Sequence, residues 1–278
     1  MVLRKPFVLW IIAFIITIAS AFYQRVTGPT YEVKDKINID GKEISYILER
    51  SHSTSSDYKI EIYTGDKNIG GELYWKRYKT NDDYTKVEMK YHSENLNVAL
   101  PAQPSAGKLQ YEIVLVKGDR VFNLTEKPVV IRFKDDVPLG IIIPHIILIF
   151  CAMLFSTRAG LEVFNHSPRF KLFSAWTLVF LILGGMIFGP ITQLYAFGAL
   201  WTGIPYGYDL TDNKTLIALI GWILAAIMVW KNNNSKRWMI FAAVLMFLVY
   251  LIPHSVLGSE LDYSKLDKEN KTEQKVGP

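Results

Sequence analysis

Five stretches of the chain are apolar along nearly their whole length, and charged residues fill the spaces between them. They run from about Pro6 to Tyr23, Leu139 to Thr157, Leu172 to Phe188, Lys214 to Lys231 and Trp238 to Pro253. Each holds about 16–19 apolar residues, the short end of what crosses a ~30 Å hydrocarbon core. Flanking aromatic residues extend them, as in an aromatic belt. The pattern predicts a transmembrane anchor over residues 1–24. Four further spans follow within residues 138–256, at about 139–157, 172–188, 214–231 and 238–253.

Between the first and second stretches the period changes from continuous to two. In Leu109–Leu115 the Leu, Tyr, Ile and Leu positions share one face, and so do Tyr58, Ile60 and Ile62. Val87, Met89 and Tyr91 form a third set, and Val129, Ile131 and Phe133 a fourth. Such alternation marks half-buried strands. Further strands are expected over Ile44–Leu48, Gly71–Tyr78, Leu96–Leu100 and Arg120–Leu124. Asp40-Gly41, Thr64-Gly65-Asp66, Asn81-Asp82-Asp83, Ser105-Ala106-Gly107 and Lys117-Gly118-Asp119 supply the turns. About eight short strands in ~105 residues predict an antiparallel all-β sandwich over residues 25–137. Gly107–Tyr111 resembles the corner of immunoglobulin-like and fibronectin-III-like domains, where a Gly and a following Tyr lead into a central strand. That resemblance implies a domain that binds, spaces or docks. The Cys–Trp–Cys core of antibody domains is absent from the sequence.

Residues 257–278 are rich in Lys, Glu and Asp and nearly free of apolar side chains, so they read as a disordered, solvated tail. The fold class is therefore a mixed membrane protein: anchor, extracytoplasmic sandwich, four-helix transmembrane bundle and polar tail.

Charge sets the orientation. The formal net charge over all 278 residues is +5. With a cytoplasmic N-terminus, Arg4, Lys5, Arg158, Arg169, Lys171, Lys231, Lys236 and Arg237 fall on the cytoplasmic side, against Glu162 alone. The β region balances 18 basic against 18 acidic residues. This asymmetry follows the positive-inside rule. The basic balance is thus a topology signal, and a nucleic-acid partner is not expected. Ala19-Ser20-Ala21 fits a signal-peptidase site, but the long apolar stretch before it and Phe22-Tyr23 after it favour an uncleaved anchor. The expected location is a bacterial inner membrane, with the β domain and the C-terminus in the periplasm.

The chemistry-bearing motifs are few. The one cysteine, Cys151, excludes an internal disulfide. No CxxC, HExxH, GxxxxGK[ST] or GxGxxG occurs. His52 lies in a polar loop and His92 ends a strand, and neither calls for a special role. Ile143-Pro144-His145 and Ile252-Pro253-His254 repeat a short motif at the edges of two spans. Ionisable groups at membrane depth are functional candidates by default. Two imidazoles at similar depth suit a metal, a haem or a proton-linked pair. The plainer alternatives are a helix-to-helix hydrogen bond for His145 and an interfacial place for His254.

The loop 189–213 is too apolar and too rich in Gly and Pro for an ordinary solvated hairpin. Tyr195, Phe197, Trp201, Tyr206 and Tyr208 suit an interfacial or re-entrant segment. Asp212 or Asn213 is expected to cap the following helix, which leaves Asp209 without such a role. His145, His254, Asp209 and Asp212 are the candidate metal ligands. Gln193, Trp201, Tyr206 and Tyr208 complete a candidate outer-face site.

These features favour an accessory or interaction protein that presents the sandwich to a partner in the membrane or periplasm, with no cofactor required. The alternative is a metal- or haem-binding redox or enzyme subunit built around His145 and His254. A transporter fits worst, because no inverted repeat or mid-membrane acid stands out.

Overall fold

The computed structural model describes residues 6–254, 256, 258 and 260–276, with side chains to 269. Arg4 and Lys5 of the charge argument, and the end of the tail, lie outside the described residues. The chain divides into two compact units. One comprises residues up to 29 and 137–259, and the other 30–136 and 260–278.

The first unit is helical. Helix α1 spans Pro6–Val26, α2 Leu139–Leu161, α3 Phe170–Leu181, α4 Gly189–Phe197, α5 Leu210–Trp230 and α6 Ser235–Leu251. A 3-10 turn, Glu162–Phe164, extends α2, and a π-helical segment, Ile182–Phe188, joins α3 to α4. Among the described residues, four helical stretches are long and apolar enough to cross a membrane: Pro6–Val26, Leu139–Phe164, Phe170–Phe197 and Leu210–Trp230. The expected fifth span is α6, whose 17 residues reach roughly 25 Å at ~1.5 Å per residue. The third stretch runs nine residues further than the pattern suggested. Gly189–Phe197, expected as loop, continues the helix, and Pro190 is tolerated in its first turn, where its missing N–H costs little.

Ala152, Met153, Ala159, Phe173, Trp222, Ala225, Val229, Met239, Ala242 and Met246 form the core of this unit. Small residues let the helices approach closely. A Cβ on Gly184 would lie 2.9 Å from both the Ile149 amide and the Leu148 Cβ of α2. Any larger residue would force the two helices apart.

The second unit is built on eleven strands. They are β1 Val33–Ile39, β2 Lys42–Leu48, β3 Ser51–Ser53, β4 Tyr58–Tyr63, β5 Gly70–Arg77, β6 Thr85–Glu88, β7 Lys90–His92, β8 Asn95–Leu100, β9 Lys108–Lys117, β10 Arg120–Asn123 and β11 Val129–Lys134. The largest sheet runs β3-β11-β9-β5-β6, with β10 also paired to β9. A second sheet runs β4-β8-β7, and β1-β2 form a hairpin closed by Asp40-Gly41, both at positive φ. One core joins residues of all three sheets, among them Tyr46, Ile60, Leu73, Leu100, Tyr111 and Phe133.

Strand β9 anchors this arrangement. Leu109, Tyr111, Ile113 and Leu115 are buried, as their alternation requires. The Tyr111 hydroxyl donates to Glu49 O at 2.9 Å, far away in the sequence.

The structure corrects the sequence reading in four places. β3 pairs with β11 in parallel, so the largest sheet is mixed rather than wholly antiparallel. Ser51–Ser53, expected as loop, is that edge strand. The strand expected over Lys86–Tyr91 divides at Met89, with β6 pairing β5 and β7 pairing β8 in another sheet. Finally, the tail contains a helix, α7 at Tyr263–Val276, that belongs to the β unit.

Candidate functional site

Within the helical unit, alternating helix direction brings the start of α2, the ends of α1 and α6, and the start of α5 to one end. His145 lies on α2. Its Nδ1 is 2.9 Å from Gly184 O in the π-helical segment. A carbonyl only accepts, so Nδ1 carries the proton and the neutral ring presents a bare Nε2. A backbone carbonyl fixing one ring nitrogen in this way is how ligating histidines are commonly oriented.

His254 is held differently. The Lys214 Nζ on α5 donates to Ile252 O at 2.6 Å and lies 3.2 Å from His254 Nδ1. An ammonium has donors only, so His254 must offer a lone pair at Nδ1 and carry its proton on Nε2. Gln24 of α1 donates to Tyr250 O, and to Ile252 O at 3.2 Å. Lys214 and Gln24 therefore satisfy carbonyls that the end of α6 leaves unpaired, and a cation suits the negative end of that helix. His145 and Asp209 both act electrostatically on His254, and Asp209 also acts on Lys214. Lys214 thus joins His254 to the end of α6, while His145 is held separately by the carbonyl of Gly184.

The cap of α5 is Asp209, where Asp212 or Asn213 was expected. Its side chain accepts from the Thr211 amide at 2.8 Å. Asp212, in the first turn of α5, reaches back into the loop instead. One of its oxygens accepts from the amides of Thr202 at 2.7 Å and Gly203 at 2.9 Å. Asn213 Oδ1 accepts from the Ile204 amide at 2.7 Å. Gln193 donates to the Thr202 hydroxyl at 2.6 Å, and the Trp201 indole N–H donates to Ile204 O at 3.1 Å. Gly203 is obligatory here, because an added Cβ would lie 2.6 Å from the Asp212 Cβ. The loop is a folded cap clamped onto α5. Tyr206 and Tyr208 stand off it, 84% and 88% exposed.

The four candidate ligands therefore do not converge as a metal shell. Among the described residues no group of three or more His, Cys, Asp or Glu side chains is placed to hold a metal ion. Asp209 and Asp212 are committed to backbone amides, and the Lys214 ammonium occupies Nδ1 of His254.

The opposite end holds a feature that the charge count does not reveal. The charge count places Arg158 and Glu162 in the cytoplasmic segment between the second and third apolar stretches. Both are fully buried, at 0% exposure, and ion-paired through Nη1 and Oε2. Glu162 Oε1 also accepts from Asn165 Nδ2 at 2.8 Å and the Arg169 amide at 2.9 Å. The guanidinium lies 4.6 Å from the Phe173 ring centre and 5.6 Å from that of Trp10. Its Nε and Nη2 have no hydrogen-bond partner, and the two rings offer their π faces instead.

Within the β unit a polar cleft of about 520 Å³ lies between residues 77–82, 106–108 and 260–267. Arg77 closes β5. Its Nε donates to Asp82 at 2.6 Å, and its Nη1 donates to Asp267 at 2.7 Å. Lys79 and Lys108 each take one oxygen of Glu260, at 2.7 and 2.6 Å. The Tyr263 ring lies under the Arg77 guanidinium at 5.0 Å. Its hydroxyl accepts from the Lys108 amide at 3.0 Å and faces Lys108 O and Gln103 Oε1 at 3.1 Å each. The Leu261 amide donates to Ala106 O at 3.1 Å.

These contacts shift the titrations. Hydrogen bonds to Asp82 and then Asp267 hold Arg77 above its ordinary value. Burial pushes Tyr263 up to about 12. Burial also acts to raise Glu260, but Lys108 and Lys79 outweigh it and hold the carboxyl below its ordinary range.

No residue of this cleft stood among the sequence candidates. Three cations at the end of β5, in the turn after it and at the start of β9 carry no motif, and apart from Asp82 their acidic partners lie more than 150 residues away. No protein-family model matches the chain, and no solved structure matches it.

Proposed function

We propose that the protein is an integral membrane interaction protein that presents its β unit outside the cytoplasm to bind or assemble a partner. In this reading α1 is an uncleaved signal anchor in a bacterial inner membrane, with its N-terminus cytoplasmic. The β unit is then a periplasmic immunoglobulin-like or fibronectin-III-like domain. The one-sided distribution of Lys and Arg supports that orientation. The observation that carries the function is the cleft beside Arg77, Lys79 and Lys108. It grips a peptide segment through ion pairs, main-chain hydrogen bonds and one buried tyrosine, which are the contacts of peptide recognition.

The test is photo-crosslinking in intact membranes. A crosslinking residue replaces exposed Asn81 beside the cleft or, as control, exposed Glu61 on β4. A discrete protein adduct from position 81 and none from position 61 is expected. No adduct from position 81, or the same adducts from both, would overturn the reading.

A second reading, a metal- or haem-binding redox subunit, draws support from His145, whose Nε2 is oriented as a ligand would be. Lys214 opposes it, since an ammonium 3.2 Å from His254 repels a cation. Metal analysis and an absorption spectrum of detergent-purified protein, beside His145→Ala and His254→Ala, decide between the two. Stoichiometric metal or a Soret band lost in both variants would replace the first reading with the second.

A further inference from the structure

We propose that the surface around Arg77, Lys79 and Lys108 is a binding site for an acidic, tyrosine-bearing peptide segment of a partner protein, and that residues 260–269, packed against it as one wall of the cleft, stand in for that segment. The inference rests on the interaction reading above and deepens it by naming the partner's chemistry.

Apart from the tail, the cleft is electropositive. Arg77, Lys79 and Lys108 face it with Asp82 as their acidic neighbour. The tail answers each unmet need. Glu260 bridges the two lysines, and Asp267 takes the side of the Arg77 fork that Asp82 leaves open. Bidentate carboxylate recognition of this kind is geometrically specific as well as strong.

Between those carboxylates Tyr263 enters the cleft, its ring under the guanidinium and its hydroxyl in the backbone of Lys108. Gly107 keeps the approach open, since a Cβ there would lie 3.1 Å from the Tyr263 hydroxyl and 2.7 Å from Pro104 O. Lys79 is held at φ +58, in the left-handed region that lysine seldom adopts.

The spacing defines the partner. It carries a carboxylate, a tyrosine three residues later, and a second carboxylate four residues beyond that, matching Glu260, Tyr263 and Asp267. Every charged contact in the cleft is at least partly solvated, so the segment can be exchanged. A partner with the same pattern competes with a tethered occupant at high effective concentration, which sets a threshold for binding.

The probe is a fluorescein-labelled peptide reproducing residues 260–269, followed by fluorescence anisotropy. The receptors are the full chain in detergent and a variant ending at residue 259. A full-length Tyr263→Ala/Asp267→Lys variant, which releases the tail without shortening the chain, is the third. Both released receptors are expected to bind the peptide at least about tenfold more tightly than the full chain. Arg77→Glu in a released receptor, or Tyr263→Ala in the peptide, should remove that gain. Equal binding to all receptors, or binding that survives Arg77→Glu, would overturn the proposal. If the peptide binds as expected but position 81 gives no crosslink, the partner reading fails and the peptide specificity stands. If crosslinks persist without peptide binding, the specificity fails and the partner reading stands.

Discussion

Two arginines in this chain each meet carboxylates, and their surroundings make them opposites. Arg158 and Glu162 sit one helical turn apart at 0% exposure among the packed helices. Arg77, with Asp82 and Asp267, sits at a partly solvated strand end. Away from water, each charge depends on its partner, because its hydration has been given up and only the pair restores it. At the strand end, water replaces a lost partner cheaply, and an exposed pair contributes ~0.2–1 kcal/mol. The same chemistry therefore locks one region and leaves the other releasable. A lock suits a scaffold. A releasable contact suits a recognition surface.

The largest expected effect lies in the lock. Arg158→Met leaves Glu162 buried and unpaired, and should destabilise the chain by about 3–5 kcal/mol. The double variant Arg158→Met/Glu162→Leu removes both charges and should recover much of that loss. Denaturant unfolding of the full chain in detergent reads both. If the single and double variants lose equally, the pair is not coupled as described.

Next is the clamp on the 198–209 loop. Asp212→Ala orphans the amides of Thr202 and Gly203, a cost of about 1–3 kcal/mol. Gly203→Ala drives a methyl group against Asp212 and should cost about the same. Limited proteolysis within 198–209 should quicken in both variants. Unchanged cleavage would mean that the carboxylate does not hold the loop.

The sequence explains part of this comparison. The face of β9 was legible because Leu109, Tyr111, Ile113 and Leu115 alternate without interruption. Four of the five apolar runs were legible as helices long enough to cross a membrane because their composition is continuously apolar. The burial of Arg158 and Glu162 was not legible because a charge count reports the side of a residue and not what packs over it. The cap fell to Asp209 rather than Asp212 or Asn213 because capping depends on the backbone angles of a folded loop, which residue types do not report. The tail read as disordered because its composition is polar. Its docking rests on Tyr263 and two carboxylates whose partners are remote in sequence.

Smaller effects come from the cleft. Arg77→Ala removes two partly solvated ion pairs and should leave global stability within about 1–2 kcal/mol of the parent. Its mark should be local, a faster release of residues 260–269.

The pH dependence of docking is smaller still and has a defined sign. Glu260 titrates lower when docked than its ordinary 4.5, so its contribution is complete above about 4.5 and fades as pH falls through the docked value. Tyr263 titrates higher when docked, at about 12 against 10.0. Its contribution is complete below about 10 and fades as pH rises towards 12. Fluorescence from a probe on the tail, followed across pH, should show a plateau between these limits. Release centred near neutral pH would contradict it.

Hydrogen exchange of the full chain in detergent tests the central claim most directly, because it follows the locked and releasable regions in one sample. Residues 260–269 should exchange more slowly than the same peptide free in solution, yet far faster than residues 152–162, and Arg77→Ala should speed their exchange by about fivefold without changing residues 152–162. Equal protection of the two regions, or a tail whose exchange ignores Arg77→Ala, would contradict the account.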